Sequence, residues 1–266
     1  MRFLSAKYLR FMVWCVLTCL AACATSSAQT QAGITSPSSL TAEQIVEAIM
    51  QHNDLRTAAL HGYTGRRVYH LNYHGLPGDK TGELIVEVRY SAPGSRQFTT
   101  ISESGSKLII NKVLKRLVTS EEEAQNSANR QQTALTSQNY SFELVREEAN
   151  GPNHYYVMKV EPRITNNKAN NKFLYRGTVW VDANDFAVAR IEAVPAQNPS
   201  FWISHTEIEQ RYEKFGKFWL PVRNRSVSKV RLGGKATLQI DYKDYHIATD
   251  AASLTQDLKH GNGPQP

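Results

Sequence analysis

Three long runs near the C-terminus constrain this chain most: Trp202 to Lys214, Lys217 to Leu232 and Lys235 to Ile247, with only Phe215-Gly216 and Gly233-Gly234 between them. In the second run, Phe218, Leu220, Val222, Ser226, Ser228, Val230 and Leu232 hold even positions. Lys217, Arg223, Arg225, Lys229 and Arg231 hold odd ones. In the third, Ala236, Leu238, Ile240 and Tyr242 alternate with Lys235, Gln239, Asp241 and Lys243. Period-two alternation places successive side chains on opposite faces of a strand, and turns this short join antiparallel neighbours.

The same signals recur upstream. A helix is expected from Thr41, where Thr41 and Gln44 have capping-box spacing. Ile45, Ala48, Ile49, His52, Leu55 and Ala59 form its apolar face, and Gly62 ends it. Strands follow over residues 63–75, 82–92 and 96–105. In the second of these, Leu84, Val86, Val88 and Tyr90 alternate with Glu87 and Arg89. A second helix is expected from Lys112 to Asn129, with Leu114, Leu117, Val118 and Ala128 on one side and Glu121, Glu122 and Glu123 in its solvated part. Two hairpins come next, turning at residues 150–153 and 183–186, with an Asn-rich loop over 165–171 between them.

These elements predict an α+β fold. Its centre is a curled antiparallel sheet of about ten to eleven strands forming an unclosed barrel, because a meander this long cannot stay flat against strand twist. Two or three helices pack on or in its concave face, which must be covered. Two interiors remain open. One is a fully packed core. The other is a hollow beside the helices, suited to acyl chains and lined by Leu84, Val86, Val88, Val179, Val181, Phe218, Leu220, Val222, Leu238, Ile240 and Tyr242. The aromatic turn of Phe215, Phe218 and Trp219 reads either as core at a hairpin end or as an apolar rim at the mouth of that hollow. On the opposite face, Lys217, Arg223, Arg225, Lys229 and Arg231 form either a solvated row or a surface that docks on an anionic membrane.

All three cysteines lie within the first 23 residues. Arg2, Lys7 and Arg10 precede an uncharged apolar run, Phe11 to Ala22, that is too short to span a bilayer. This predicts a signal peptide over residues 1–22. Leu20-Ala21-Ala22-Cys23 resembles a lipobox, which would leave Cys23 as a lipidated N-terminus; the alternative cut falls after Ala28. Residues 23–40 then form an uncharged tether reaching about 20 to 25 Å, residues 41–248 the folded domain and residues 249–266 a disordered tail. Losing Arg2, Lys7 and Arg10 lowers the formal charge from +7 to +4. With no RNA-binding motif or long basic run, that balance does not suggest a nucleic-acid partner.

No nucleotide-binding, nucleophile-elbow or zinc-protease fingerprint occurs. His70 and His74 share a strand face but have no adjacent third ligand, and they read as surface histidines. Asp182-Ala183-Asn184-Asp185 lacks the glycine and distal Glu of a calcium loop and reads as an Asx-stabilised hairpin turn. No cofactor, metal or catalytic residue is expected.

Residues 175–202, followed by residues 211–245, resemble the bacterial outer-membrane lipoprotein-sorting proteins of LolA/LolB-type fold. The hairpin of Trp180-Val181-Asp182 and Phe186-Ala187-Val188-Ala189-Arg190-Ile191-Glu192 carries the resemblance, and the order of elements matches over about residues 41 to 248. The resemblance implies an unclosed barrel, partly plugged by helices, that holds lipid chains. The expected function is that of a monomeric, non-catalytic lipid- or lipoprotein-binding protein of the bacterial cell envelope, acting in sorting or transfer. It would be anchored to the outer membrane through Cys23, with acyl chains, lipoproteins and the membrane surface as partners. A module that senses envelope state through a protein partner is the second expectation, and an envelope hydrolase the third.

Overall fold

The computed structural model describes residues 40–92, 94–123, 134–164, 174–198, 201, 203–231 and 233–248. The leader, Cys23 and its tether, the Asn-rich stretch, the tail, Ala128, Trp202 and Leu232 lie outside them.

Helix α1 spans Ala42–Ala59 and starts as its spacing dictates: the Thr41 side chain accepts from the Gln44 backbone N–H, and the Gln44 side chain accepts from the Thr41 N–H. Its buried face differs from the expected one. Ile45, Val46 and Ile49 are buried, whereas Leu55 is 69% exposed. The apolar stripe thus covers only the first half of the helix. The second half carries Asn53, Arg56 and Thr57 towards other partners.

Ten strands follow among the described residues: β1 (Gly62–Gly75), β2 (Lys80–Ser91), β3 (Ser95–Gly105), β4 (Tyr140–Asn150), β5 (Asn153–Pro162), β6 (Tyr175–Asp182), β7 (Val188–Pro195), β8 (Ile203–Phe215), β9 (Phe218–Val230) and β10 (Gly234–Ala248). They form one antiparallel sheet in the order β3-β2-β1-β10-β9-β8-β7-β6-β5-β4. The break in sequence order comes where β10 returns to pair with β1. Edge strands β3 and β4 do not pair with each other among the described residues, so the barrel is unclosed. The sheet is nevertheless strongly curled. Arg96 on β3 and Val188 on β7 are six strand spacings apart, about 29 Å in a flat sheet, yet both line one small hollow.

The second helix, α2, consists of Lys107–Ile109, a wider π-type turn over Ile110–Leu114, and Lys115–Glu123. It begins five residues before the expected Lys112. Gly82 lets it lie close on β2: a Cβ there would stand 2.6 Å from Ile109 Cγ2. Leu114 and Leu117 are buried as expected. Glu121 is not solvated but fully buried, correcting the assignment of that stretch to the solvated part of the helix. It lies seven residues beyond Leu114 and therefore on the same helix face.

The concave face carries two apolar clusters rather than one. The first joins Ile45, Val46 and Ile49 of α1 to Met158, Val179, Val181, Ile191 and Ile208 of β5 to β8. The second joins Leu114 and Leu117 of α2 to Tyr69, Leu71, Leu84, Val86, Val88, Leu238, Ile240 and Tyr242 of β1, β2 and β10. Each fully buried aliphatic side chain contributes roughly 1.5–3 kcal/mol.

The inward side chains of β8 and β9 include buried Thr206, Gln210, Asn224, Ser226 and Ser228. Ser226 and Ser228 face inward as their even positions in the alternation require, and with Thr206, Gln210 and Asn224 they make this part of the concave face polar. Part of this polar strip is satisfied internally, since the Thr206 and Ser228 hydroxyls are 2.9 Å apart and the Tyr212 hydroxyl donates to Gln210 Oε1. Asn224 Nδ2 and Ser226 Oγ are buried with no hydrogen-bond partner among the described residues.

Candidate functional site

A hollow of about 140 Å³ opens at one end of the curled sheet, where the second half of α1 faces the β8–β9 hairpin. Strands β1 to β3 bring Tyr63, Arg67, Tyr90 and Arg96 to it. Helix α1 brings Asn53, Arg56 and Thr57, and Leu60 follows at its C-terminal cap. The far wall is Ala187, Val188, Tyr212 and the run Phe218 to Pro221. Alternation explains the first wall: Tyr63 and Arg67 share the inward parity of Tyr69 and Leu71 along β1.

Asp185 ties three elements together at the rim. Its backbone carbonyl accepts from Arg56 of α1 (2.7 Å), while its carboxylate accepts from the Trp219 indole (2.8 Å) and pairs with Lys214 (2.6 Å). Burial by itself would push this carboxyl up. The Lys214 and Trp219 hydrogen bonds outweigh it and hold the carboxyl below its ordinary value. Asp185 can reach them because Asp182 Oδ1 accepts from the backbone N–H groups of Asn184 and Asp185, closing the Asx turn that the sequence predicts. Phe186 then takes a φ of 47° and stacks near Tyr156.

Behind the hollow, the Arg67 guanidinium donates to Glu121, and the Tyr69 hydroxyl donates to the other Glu121 oxygen at 2.7 Å. The guanidinium also lies over the rings of Tyr242 (5.0 Å) and Phe98 (5.1 Å). Burial alone would lower the Arg67 pKa. The Glu121 carboxylate and the surrounding tyrosines overcome this and hold it well above its ordinary value, so the arginine stays charged. Tyr69 and Tyr242 are pushed up, by burial first and by nearby charge second. Tyr63 goes the other way. Although it is buried, the Arg96 and Arg67 charges hold its phenol below its ordinary value.

Of the side chains expected to line a hollow, Phe218 and Leu220 do line this one. Leu84, Val86, Val88, Leu238, Ile240 and Tyr242 are packed in the second cluster, and Val179 and Val181 in the first. Val222 is half-buried. Trp219 is also at the hollow, and the Phe215 ring packs 5.2 Å from Tyr245.

The basic row is shorter than its sequence spacing implies. Arg223, Arg225 and Lys229 are exposed on β9. Lys217 lies in the tight turn with its ammonium over the Phe218 ring, and Arg231 lies past the strand end against Phe201. The row is also interleaved with acids: Arg223 bonds Asp241 at 3.0 Å, and Arg225 stands opposite Glu209 of β8. His70 lies 3.8 Å from Glu83, and His74 is 2.7 Å from Asp79. Among the described residues, no three His, Cys, Asp or Glu side chains gather as a metal site requires.

Spacing does not single out Arg56, Arg67 or Arg96, and it assigns Glu121 to a solvated part of the helix and Asp185 only to a turn. Two of these carried a signal: Arg67 has the parity of the apolar positions on β1, and Glu121 has the helical phase of Leu114.

No protein-family model matches the chain, and no curated protein matches it. Solved structures do. A LolA superfamily protein from Nitrosomonas europaea aligns at 13% identity and a TM-score of 0.31, over 81% of this chain and 97% of that one. A domain from Vibrio parahaemolyticus named for outer membrane lipoprotein sorting aligns at 12% identity and 0.38, over 82% and 98%. A DUF1329 family protein from Desulfovibrio piger aligns at 13% and 0.38, over 80% and 99%.

Proposed function

We propose that this chain is a non-catalytic, amphiphile-binding protein of the bacterial cell envelope, tethered to the outer membrane through Cys23 and acting in lipid or lipoprotein sorting. One observation carries the reading: the hollow lies on the concave side of an unclosed sheet, between two separate apolar clusters, with Leu60, Val188, Phe218 and Leu220 in its wall. An acyl chain entering from the hollow would gain about 0.8 kcal/mol per buried CH₂.

The hollow of about 140 Å³ is smaller than the roughly 300–1,000 Å³ of ordinary ligand sites. Loading a full chain therefore requires the two clusters to part, which a sheet with two open edges permits more readily than a closed barrel.

The test is native mass spectrometry of the full chain carrying Cys23→Ser, purified from a bacterium without detergent. A co-purified lipid or fatty acid, depleted by Leu220→Glu in the wall of the hollow, is the expected result. An empty protein that also fails to take up added fatty acid would overturn the reading. A second reading, a module that binds a protein partner, is supported by the two eleven-residue edge strands β3 and β4, each paired on one side only among the described residues. An extended peptide could add to either.

A further inference from the structure

Three buried polar atoms with no hydrogen-bond partner among the described residues lie on two neighbouring strands: Asn224 Nδ2 and Ser226 Oγ on β9, and the Tyr242 hydroxyl on β10. Asn224 and Ser226 are each 5% exposed, and Tyr242 is 4% exposed. Register brings them together. Ser226 stands opposite Leu238, and Asn224 opposite Ile240, two residues from Tyr242 on the same face of β10. Opposed inward positions on such strands lie about 5 Å apart and diagonal ones about 7–8 Å. Further along, Thr206 and Ser228 satisfy each other at 2.9 Å, so the unpaired patch is confined to these three side chains.

The patch lies on a seam. Ile208 on β8 belongs to the first apolar cluster, and Leu238, Ile240 and Tyr242 on β10 belong to the second. Strand β9 runs between them, and none of its residues belongs to either cluster. The inward face of β9 also starts in the hollow, where Phe218 and Leu220 form part of the wall. Asn224 comes four residues after Leu220, about 13 Å along the strand. A polar strip thus leads from the hollow to the place where the two clusters would part.

We infer that the inward face of β9 is the site for the carbonyl groups of a two-chain acyl ester, with one chain bedded on each apolar cluster. This deepens the proposed function and rests on it. A buried polar group left unpaired destabilises a fold, and native proteins hold few of them. Three on one patch point to a partner group brought by a ligand. An amide nitrogen can only donate, and both hydroxyls can donate as well, so the matching group is an oxygen acceptor. A carboxylate would carry a charge between two apolar clusters at a heavy desolvation cost, whereas an ester carbonyl accepts the same bonds without one. The position of the patch between the clusters selects two chains over one.

The test compares two uncharged probes of matched chain length: dioctanoylglycerol, whose chains are ester-linked, and dioctylglycerol, whose ether links carry no carbonyl. Titrated into the full chain carrying Cys23→Ser, the ester should bind about tenfold tighter than the ether, as one or two net hydrogen bonds require. Its carbonyl infrared band should move to lower frequency on binding. Asn224→Leu, Ser226→Ala and Tyr242→Phe together should erase both the preference and the band shift, while ether binding stays within about twofold, because each replacement is close in shape to the original. Ser226→Ala alone, the smallest change, should remove part of the preference. Without ligand, the triple variant should resist urea at least as well as the parent chain, since no internal hydrogen bond of these three atoms is lost. Equal binding of ester and ether overturns the carbonyl site and leaves the proposed function standing. So does an ester preference that survives the three changes. A triple variant that unfolds more easily without ligand shows that these groups hold structural water, and it too overturns the carbonyl site. Failure of both probes to bind overturns the proposed function as well.

Discussion

Arg67 on β1 and Glu121 on α2, 54 residues apart in sequence, form an ion pair in which both side chains are almost wholly buried. The pair pins the last described turn of α2 against the concave face. It is completed by the Tyr69 hydroxyl on Glu121 and by the Phe98 and Tyr242 rings under the guanidinium. A buried pair is not in itself a gain over an apolar contact, because desolvating two charges offsets their attraction. What it does impose is a penalty for being half-made.

Removing one partner should therefore cost more than removing both. Arg67→Met or Glu121→Leu alone should destabilise by roughly 3–5 kcal/mol, and the double variant by clearly less than either. Urea unfolding of the three variants checks this. Additive losses would show that the two residues act separately.

Acid should weaken the rim at Asp185. Its carboxyl is held below its ordinary value in the folded chain, so its stabilising contribution is complete above about pH 4, the unfolded value, and is lost as pH falls through the folded one. Asp185→Asn should lower the melting temperature at pH 7, and the gap to wild type should close as the pH is taken progressively below about 4. A gap that stays constant across that range would remove the carboxylate from the account.

Gly82 is required by close approach rather than by its backbone angles. Gly82→Ala should cost roughly 1–3 kcal/mol, because its Cβ would meet Ile109 at 2.6 Å and push the first turn of α2 off β2. Ile109→Ala in the same chain should recover part of that loss in thermal unfolding.

Lipidation is expected at Cys23 from the Leu20-Ala21-Ala22-Cys23 motif. Expressed with its own leader, the chain should partition into detergent, and Cys23→Ser should release it. An intact mass corresponding to an N-terminus at Gln29 would contradict lipidation.

The exposed residues Arg223, Arg225 and Lys229 should draw the Cys23→Ser chain to anionic vesicles, with binding that falls as salt rises. The Asp241 and Glu209 partners reduce the effect expected from three isolated cations. Changing all three to Glu should abolish vesicle binding without unfolding. Binding indifferent to salt and to those changes would leave this face as simply solvated.

Much of the architecture is legible in the residues because it is set locally. Alternation along Leu84, Val86, Val88 and along Leu238, Ile240, Tyr242 decides which way each strand faces, and the Thr41–Gln44 cap decides where α1 begins. The Asp182 turn closes on its own backbone. All of these involve neighbours a few residues apart, so spacing alone carries them. What only the tertiary structure decided is where the charges go. Glu121 reads as one of three solvated acids until α2 is laid against β1, and Arg96 reads as an ordinary edge-strand arginine until the sheet curls β3 towards β7. Burying a charge depends on a partner or a cavity brought from the far side of the sheet, and no periodicity within one element records that distance.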